Sequence, residues 1–266
     1  MIYLKSYCYS KHELPFINAQ LDESMGHVDK FYLYEFDRTH TGVEKKFELD
    51  GIIPKNDRLV YKKVSVKDTC VYAYNDGPKI HAINEPIQRS YIFNDPDVVL
   101  CDEDIIFDVD VDEIIYSSSY PNLIDSYMAP TSIRLNQFFF KHNYLWTDCN
   151  FSSPTMYKYK DIKNTIHKVN GLNVSTHTRD LPKKTSDIHG CHMSWIMPVD
   201  YMINKLHSYG HTEFRKYADA VELQKAIDDK KYIFDLKRPF NIHELEFNDD
   251  RIPKILQTNN IFNNLS

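Results

Sequence analysis

The sequence predicts an α/β protein with a mostly parallel sheet flanked by helices, and the first third of the chain carries the prediction. Residues 2–8, 29–36 and 58–66 are apolar runs of strand length. Between the first two, Leu14, Ile17, Leu21 and Met25 recur at spacings of three and four, which predicts a helix over 12–26 ending at Gly26. Strand, helix and strand of these lengths make a βαβ opening, whose two strands run parallel. Ligands of such sheets sit beyond the carboxyl ends of the strands, here near Ser6 to Cys8 and near Glu35.

The remaining elements follow in order. Residues 37–42, Asp-Arg-Thr-His-Thr-Gly, form a polar turn. Residues 85–93 read as a helix with Pro86 in its first turn, carrying Gln88 and Arg89. A short polar helix or loop covers 117–127, and strands cover 132–144 and 155–159. Between those strands lies an aromatic loop, 146–154. Residues 171–186 are polar, of mixed charge and poor in apolar side chains, which predicts a mobile loop of the kind that closes over substrates. A strand at 189–195 precedes helices at 198–209 and 219–230. No repeat or linker interrupts the chain, so it reads as one domain over 1–266, with 236–266 a tail packed on it.

The stretch 102–116 stands apart. Ile105, Ile106 and Phe107 continue a buried strand, and then Asp108, Val109, Asp110, Val111 and Asp112 alternate strictly. If the strand runs that far, three carboxylates share one face. Carboxylates so close repel unless a cation lies among them, and oxygen ligands of this kind suit Mg²⁺ or Mn²⁺. A solvated strand end is the plain alternative. A calcium loop fits less well, because Glu113 stands where the loop needs glycine and no glutamate follows at the required offset.

Composition narrows the classes. Apolar residues make up 42% and charged residues 26%, enough for a core in a soluble protein. A net charge of −6 argues against a protein that coats nucleic acid or an anionic membrane. Five scattered cysteines without C-x-x-C predict neither a disulfide framework nor a structural zinc site and fit a reducing compartment. No signal peptide or membrane-length apolar run is legible, so a cytoplasmic protein is expected. Dinucleotide-binding glycine motifs, P-loops and G-x-S-x-G are absent.

Four blocks resemble glycosyltransferase family 17, the group that includes β-1,4-mannosyl-glycoprotein N-acetylglucosaminyltransferase. They are Val28-Asp-Lys-Phe-Tyr-Leu-Tyr-Glu35 with Thr39-His-Thr-Gly42; Gln88-Arg89 with Asp104-Ile-Ile and Asp110-Val-Asp-Glu-Ile114; Gly190-Cys-His-Met-Ser-Trp195; and Asn204-Lys-Leu-His-Ser-Tyr-Gly-His-Thr-Glu213. The ending from Ile252 to Asn259 is similar too, so the resemblance spans nearly the whole chain. Departures are Cys191 for the family's Trp, Thr41 for Ser, and an acid at Asp108 where an apolar residue is usual, and no counterpart of the Golgi members' anchor and stem is legible.

The resemblance implies a GT-A fold with a mixed sheet, a UDP-sugar donor (N-acetylglucosamine being the family's sugar), a divalent cation such as Mn²⁺ or Mg²⁺, and inversion at the anomeric carbon. Carried onto this chain, Asp112 is the direct metal ligand, with Asp110 on the metal or the ribose. His192 is a further ligand, with His211 competing for that role. Ser6, Glu35, Thr39, Arg89 and Lys205 join Asp110 around the donor. Glu213 is the base that takes the acceptor's proton, and Asp148 is second. Without the resemblance, His192 reads as a core histidine and Lys205 as a solvated helix charge. The acceptor stays open among glycan, lipid-linked sugar, protein and modified nucleobase. Two other functions compete: a haloacid-dehalogenase-type phosphohydrolase using Asp108 and Asp110, and a non-catalytic nucleotide-sugar binding protein. The hydrolase expects a later paired-acid motif on a strand, and Asp249-Asp250 lies in the tail.

Overall fold

A computed structural model of the chain describes residues 1–65, 81–175, 179, 181–208, 212–235, 237–258 and 261–262. The opening βαβ unit forms as predicted from β1 (Ile2–Cys8), α1 (Leu14–Ser24) and β2 (Lys30–Phe36). β3 (Leu59–Val64) follows parallel to β2. α2 (His81–Arg89) leads towards β4 (Ile105–Asp108), which lies parallel on the other side of β1. Next come β5 (Glu113–Ile115), α3 (Tyr120–Asp125), β6 (Thr131–Phe139), β7 (Tyr144–Phe151), β8 (Thr155–Lys158) and α4 (Tyr159–Ile162). β9 (His167–Val169) and β10 (Leu172–Val174) make a separate hairpin. β11 (Lys184–Ser194), α5 (Val199–Ser208), α6 (Ala220–Asp228) and β12 (Ile242–Glu244) complete the described elements.

Ten of these strands form one sheet, ordered β12-β7-β6-β8-β4-β1-β2-β3, with β11 bridging β6 and β5. The α/β class is therefore as predicted, and the sheet is mixed. Its β4-β1-β2-β3 half is parallel, whereas β8, β6, β7 and β12 join antiparallel. Among the described residues no helix is long and apolar enough to cross a membrane.

Burial explains why the central strands hold no alternating polar face. In β1 every residue after Ile2 is buried, as expected where helices and loops cover both sides of a sheet. One face packs Leu4, Ile17, Leu21, Phe31, Leu33 and Phe107 together. The other is built from phenols and rings, among them Tyr3, Tyr7, Tyr32, Tyr34, Phe36 and Tyr157. Much of the aromatic content is thus core.

Four expectations are corrected. The acidic strand stops at Asp108, so Asp108, Asp110 and Asp112 do not share a strand face. The predicted aromatic loop after Tyr144 continues as strand β7 as far as Phe151, because β6 and β12 supply backbone partners on both sides. The helix predicted from residue 85 begins at His81, which puts Pro86 inside it. The expected loop 171–186 includes β10 and the start of β11, and Arg179 between them is fixed by ion pairs.

Asp108 has a different task from its neighbours. Its Oδ1 accepts from Lys5 Nζ at 2.6 Å, both side chains are wholly buried, and Tyr157 Oη donates to Oδ2 at 3.3 Å. Burial pushes the Lys5 ammonium below its ordinary pKa, against the pull of Asp108. Lys5 and Asp108 are register partners across β1 and β4, so the pair fixes how the two strands align. Removing one partner of a buried pair strands the other's charge, at a cost of about 3–5 kcal/mol. Lys5→Met is therefore expected to lose about that much in urea unfolding, and Lys5→Met with Asp108→Leu to regain most of it. An unaltered midpoint in the single variant would show that the pair does not lock the register.

Candidate functional site: the turn after β4

Residues 109–112 form the turn from β4 into β5. Buried Val109 and Val111 root it in the core, so the intervening acids point the other way. Its backbone is pinned from below: Ser6 Oγ donates to the Val109 carbonyl at 2.8 Å, and Gln20 Nε2 donates to the carbonyls of Asp110 and Glu113 at 2.6 and 2.9 Å. From the side, the Met193 amide donates to the Asp112 carbonyl at 2.7 Å. Gly190 of β11 faces Ile115 of β5, and a Cβ there would stand 2.0 Å from the Ile114 carbonyl oxygen. Only glycine lets β11 approach this closely.

The turn opens onto a cleft of about 810 Å³. Two guanidinium groups reach in. Arg89, from the end of α2, grips Asp110 with Nη1–Oδ1 at 2.5 Å and Nη2–Oδ2 at 3.0 Å, and its Nε bonds Glu85 at 2.9 Å. Arg179 takes both oxygens of buried Glu113, at 2.6 and 2.5 Å, and stands 3.4 Å from Asp110 Oδ2. Glu113 in turn accepts the Asp110 amide at 2.6 Å. Burial alone would raise the Asp110 carboxyl; Arg179 and Arg89 outweigh it and hold the group far below the usual carboxylate range. Asp110 is thereby an anchor for arginines, and both its oxygens are taken.

Asp112 is placed differently. Its Oδ2 lies 3.6 Å from His192 Nε2 and 4.0 Å from Lys205 Nζ. Burial pushes this carboxyl up too, but His192 and Lys205 together bring it below its ordinary value. The imidazole is oriented from behind. Gln137 commits its Nε2 to the Phe138 carbonyl at 2.9 Å, so its Oε1 accepts from His192 Nδ1–H at 2.9 Å. In the neutral ring Nε2 then carries a lone pair, facing the Asp112 carboxylate. Two such groups repel unless a cation lies between them, whether a proton or a metal. Asp112 and His192 thus fit two ligands of a divalent ion whose remaining positions face the open cleft. Among the described residues no group of three His, Cys, Asp or Glu side chains gathers to hold an ion by protein ligands alone.

The cleft collects some sequence-predicted residues and omits others. Thr39, Arg89, Asp110, Asp112, His192 and Lys205 line it. Thr39 sits in a turn closed by its own Oγ1, which accepts the Val43 amide at 3.0 Å, with Gly42 at φ +79°. Ser6 and Glu35 lie beneath it instead. Glu35 is fully buried and spends its oxygens on Lys45 at 2.9 Å, the amides of Glu48 and Leu49 at 2.6 and 3.2 Å, and the Tyr61 hydroxyl. Asp148 points out of the cleft and binds the backbone and side chain of Asn241 at 2.7 and 2.9 Å. Glu213 is exposed and does not line the cavity, and His211 lies outside the described residues.

The sequence reading missed Arg179, Gln137 and Glu13. Glu13, on the turn leading into α1, lines the cleft, with its Oε2 accepting the amides of Tyr9 and, at 3.2 Å, Ser10. Burial outweighs those hydrogen bonds and the pull of Lys205, and pushes the carboxyl up to about 7.

No protein-family model matches the chain, and no curated protein matches it at a significant level.

The Glu13 carboxyl carries a signed consequence. Its folded pKa of about 7 lies above the ordinary 4.5, so the folded state holds the proton more tightly than the unfolded state. Its contribution is fully present at low pH and is lost as pH rises through about 7. Thermal unfolding of the wild type is expected to fall between about pH 5 and 8 more than that of Glu13→Gln. Parallel curves for the two would place this carboxyl in an ordinary environment.

Proposed function

We propose that the chain is a metal-dependent inverting glycosyltransferase of GT-A type, moving a sugar from a UDP-sugar, with UDP-N-acetylglucosamine as the expected donor, onto an acceptor hydroxyl. The observation that carries this is the pairing of Asp112 with an oriented His192 beside Lys205, in a cleft at the carboxyl end of β4. The four blocks resembling glycosyltransferase family 17 support it, because three of them supply Arg89 with Asp110 and Asp112, His192, and Lys205.

Asp112 and His192 would hold Mn²⁺ or Mg²⁺, which supplies Lewis-acid stabilisation to a departing diphosphate. Lys205 brings positive charge to the same region, where the leaving group gathers its electron pair, and Arg89 and Arg179 line it as hydrogen-bond donors whose charge Glu85, Asp110 and Glu113 balance. Asp110 serves by holding both guanidinium groups still. In the reaction the acceptor oxygen bonds the anomeric carbon, the bond from that carbon to the diphosphate oxygen breaks, and UDP leaves with the electrons. The acceptor's proton needs a base, and Glu13 takes the place given to Glu213 and Asp148. It lies in the cleft, and a pKa of about 7 suits a group that must accept a proton near neutrality.

Two observations weigh against the other readings. A phosphohydrolase needs Asp108 exposed as nucleophile, whereas Lys5 and Tyr157 enclose it. A pure binding protein would need no group poised to take a proton, and Glu13 lines the cleft with its carboxyl raised to about 7.

With only two protein ligands, the ion is expected to bind weakly alone and tightly with the nucleotide. In a thermal-shift screen, UDP with Mn²⁺ should raise the melting temperature more than the two separate shifts added. Asp112→Asn should abolish that synergy and reduce Mn²⁺-dependent hydrolysis of the UDP-sugar by about 10²–10³-fold. Glu13→Gln should keep the synergy and lose transfer. Equal shifts with and without Mn²⁺ would overturn the proposal.

A further inference from the structure

The cleft extends beyond the acidic turn into a half lined by aromatic side chains. The path between the two halves is continuous. Lys205 Nζ, 4.0 Å from Asp112, lies over the Trp195 ring at 5.2 Å. Trp195 packs on Phe234 at 4.8 Å between centroids, Phe234 on Tyr232 at 5.5 Å, and Tyr232 on Trp146 at 4.9 Å. At its far end the Arg238 guanidinium lies over Trp146 at 4.5 Å and near Tyr232 at 5.8 Å.

Arg238 brings a cation to this half of the cleft. It is exposed on the cleft wall, and among the described residues it makes no salt bridge. Its side chain donates to Cys149 Sγ at 3.3 Å. Burial raises the Cys149 thiol above its ordinary pKa despite Arg238, so that sulfur is no anion. The hydrogen bonds of the neighbouring carboxylates go to other groups: Asp235 accepts the Lys237 amide at 3.1 Å, and Asp148 accepts from Asn241. The guanidinium over Trp146 is a planar fork of donors, the arrangement that receives a carboxylate or phosphate through two parallel hydrogen bonds. Aromatic faces beside it suit the C–H faces of a pyranose ring.

We propose that this half of the cleft is the acceptor subsite and that the acceptor is an anionic saccharide, its carboxylate or phosphate seated on Arg238 and its ring on Tyr232. This rests on the transferase reading for the word acceptor, but the binding itself does not.

The chain contains only two tryptophans, and both Trp146 and Trp195 line the cleft, so tryptophan fluorescence, excited beyond the absorption of tyrosine, reports on this region alone. Wild type and Arg238→Gln are to be titrated with a uronate-bearing hyaluronan tetrasaccharide, a phosphorylated mannose oligosaccharide and neutral chitotetraose. The expected result is that at least one anionic sugar quenches the wild type with an affinity about tenfold above the neutral one, and that Arg238→Gln removes this advantage. Whichever of the two anions binds identifies the group recognised. Added salt should weaken the anionic sugar and leave the neutral one unchanged, which tests the wild type independently of the variant. The proposal is overturned if neither anion quenches, if chitotetraose quenches as well as they do, or if Arg238→Gln weakens all three sugars alike. The UDP and Mn²⁺ thermal shift, run on both proteins, separates the two ideas. Saccharide binding without that shift sinks the donor reading alone, and the shift without selective saccharide binding sinks only the present one.

Discussion

The charge balance around the turn after β4 governs the rest of the site. Three acids, Asp110, Asp112 and Glu113, are forced within a few residues of one another, where unscreened they would drive the turn apart. Each is met by an opposite charge delivered from a distant part of the chain: Arg89 from α2, Arg179 from the segment before β11, Lys205 from α5. The turn can hold its shape only when those elements are in place. The fold around the cleft is in this sense assembled by electrostatics at one point, while the hydrophobic clusters on either side of the sheet supply the bulk of the stability.

The same balance separates structural acids from available ones. Asp108 is neutralised in the core by Lys5, and Asp110 and Glu113 are saturated by arginine. Asp112 alone among them faces the His192 imidazole and open space. A row of four acids within six residues therefore does three different jobs, decided by the backbone turn at 109–112 and not by residue type.

This explains what was legible beforehand. The βαβ opening, the strand at 105–108 and the helices at 199–208 and 220–228 could be read, because apolar spacing reflects burial directly. Asp112, His192 and Lys205 could be read from motif blocks. Alternation over 108–112 misled, because Val109 and Val111 are buried by a turn that keeps their side chains inward without continuing the strand. Arg179 was hidden inside a polar stretch whose composition resembles any surface loop, and its importance comes only from the long-range approach to Glu113. Glu13 lies in the turn before α1, an ordinary place for an acid, and its raised pKa needs the cleft wall to be known. Ser6 and Glu35 stood at the right strand ends, but their side chains turn downward, where Gln20, Lys45 and Tyr61 claim them.

The strand β12 bears on how the molecule tolerates being cut. Residues 236–266 read from sequence as an appendage, yet β12 supplies the final rung of the sheet, covering the edge of β7. A bare sheet edge exposes unpaired amides and carbonyls in a row, a template on which a second chain can add its own strand. Proteolysis that frees this terminal segment would thus do more than shorten the polypeptide. It would uncover an adhesive border beside Trp146 and convert a self-contained molecule into one prone to polymerise along that border.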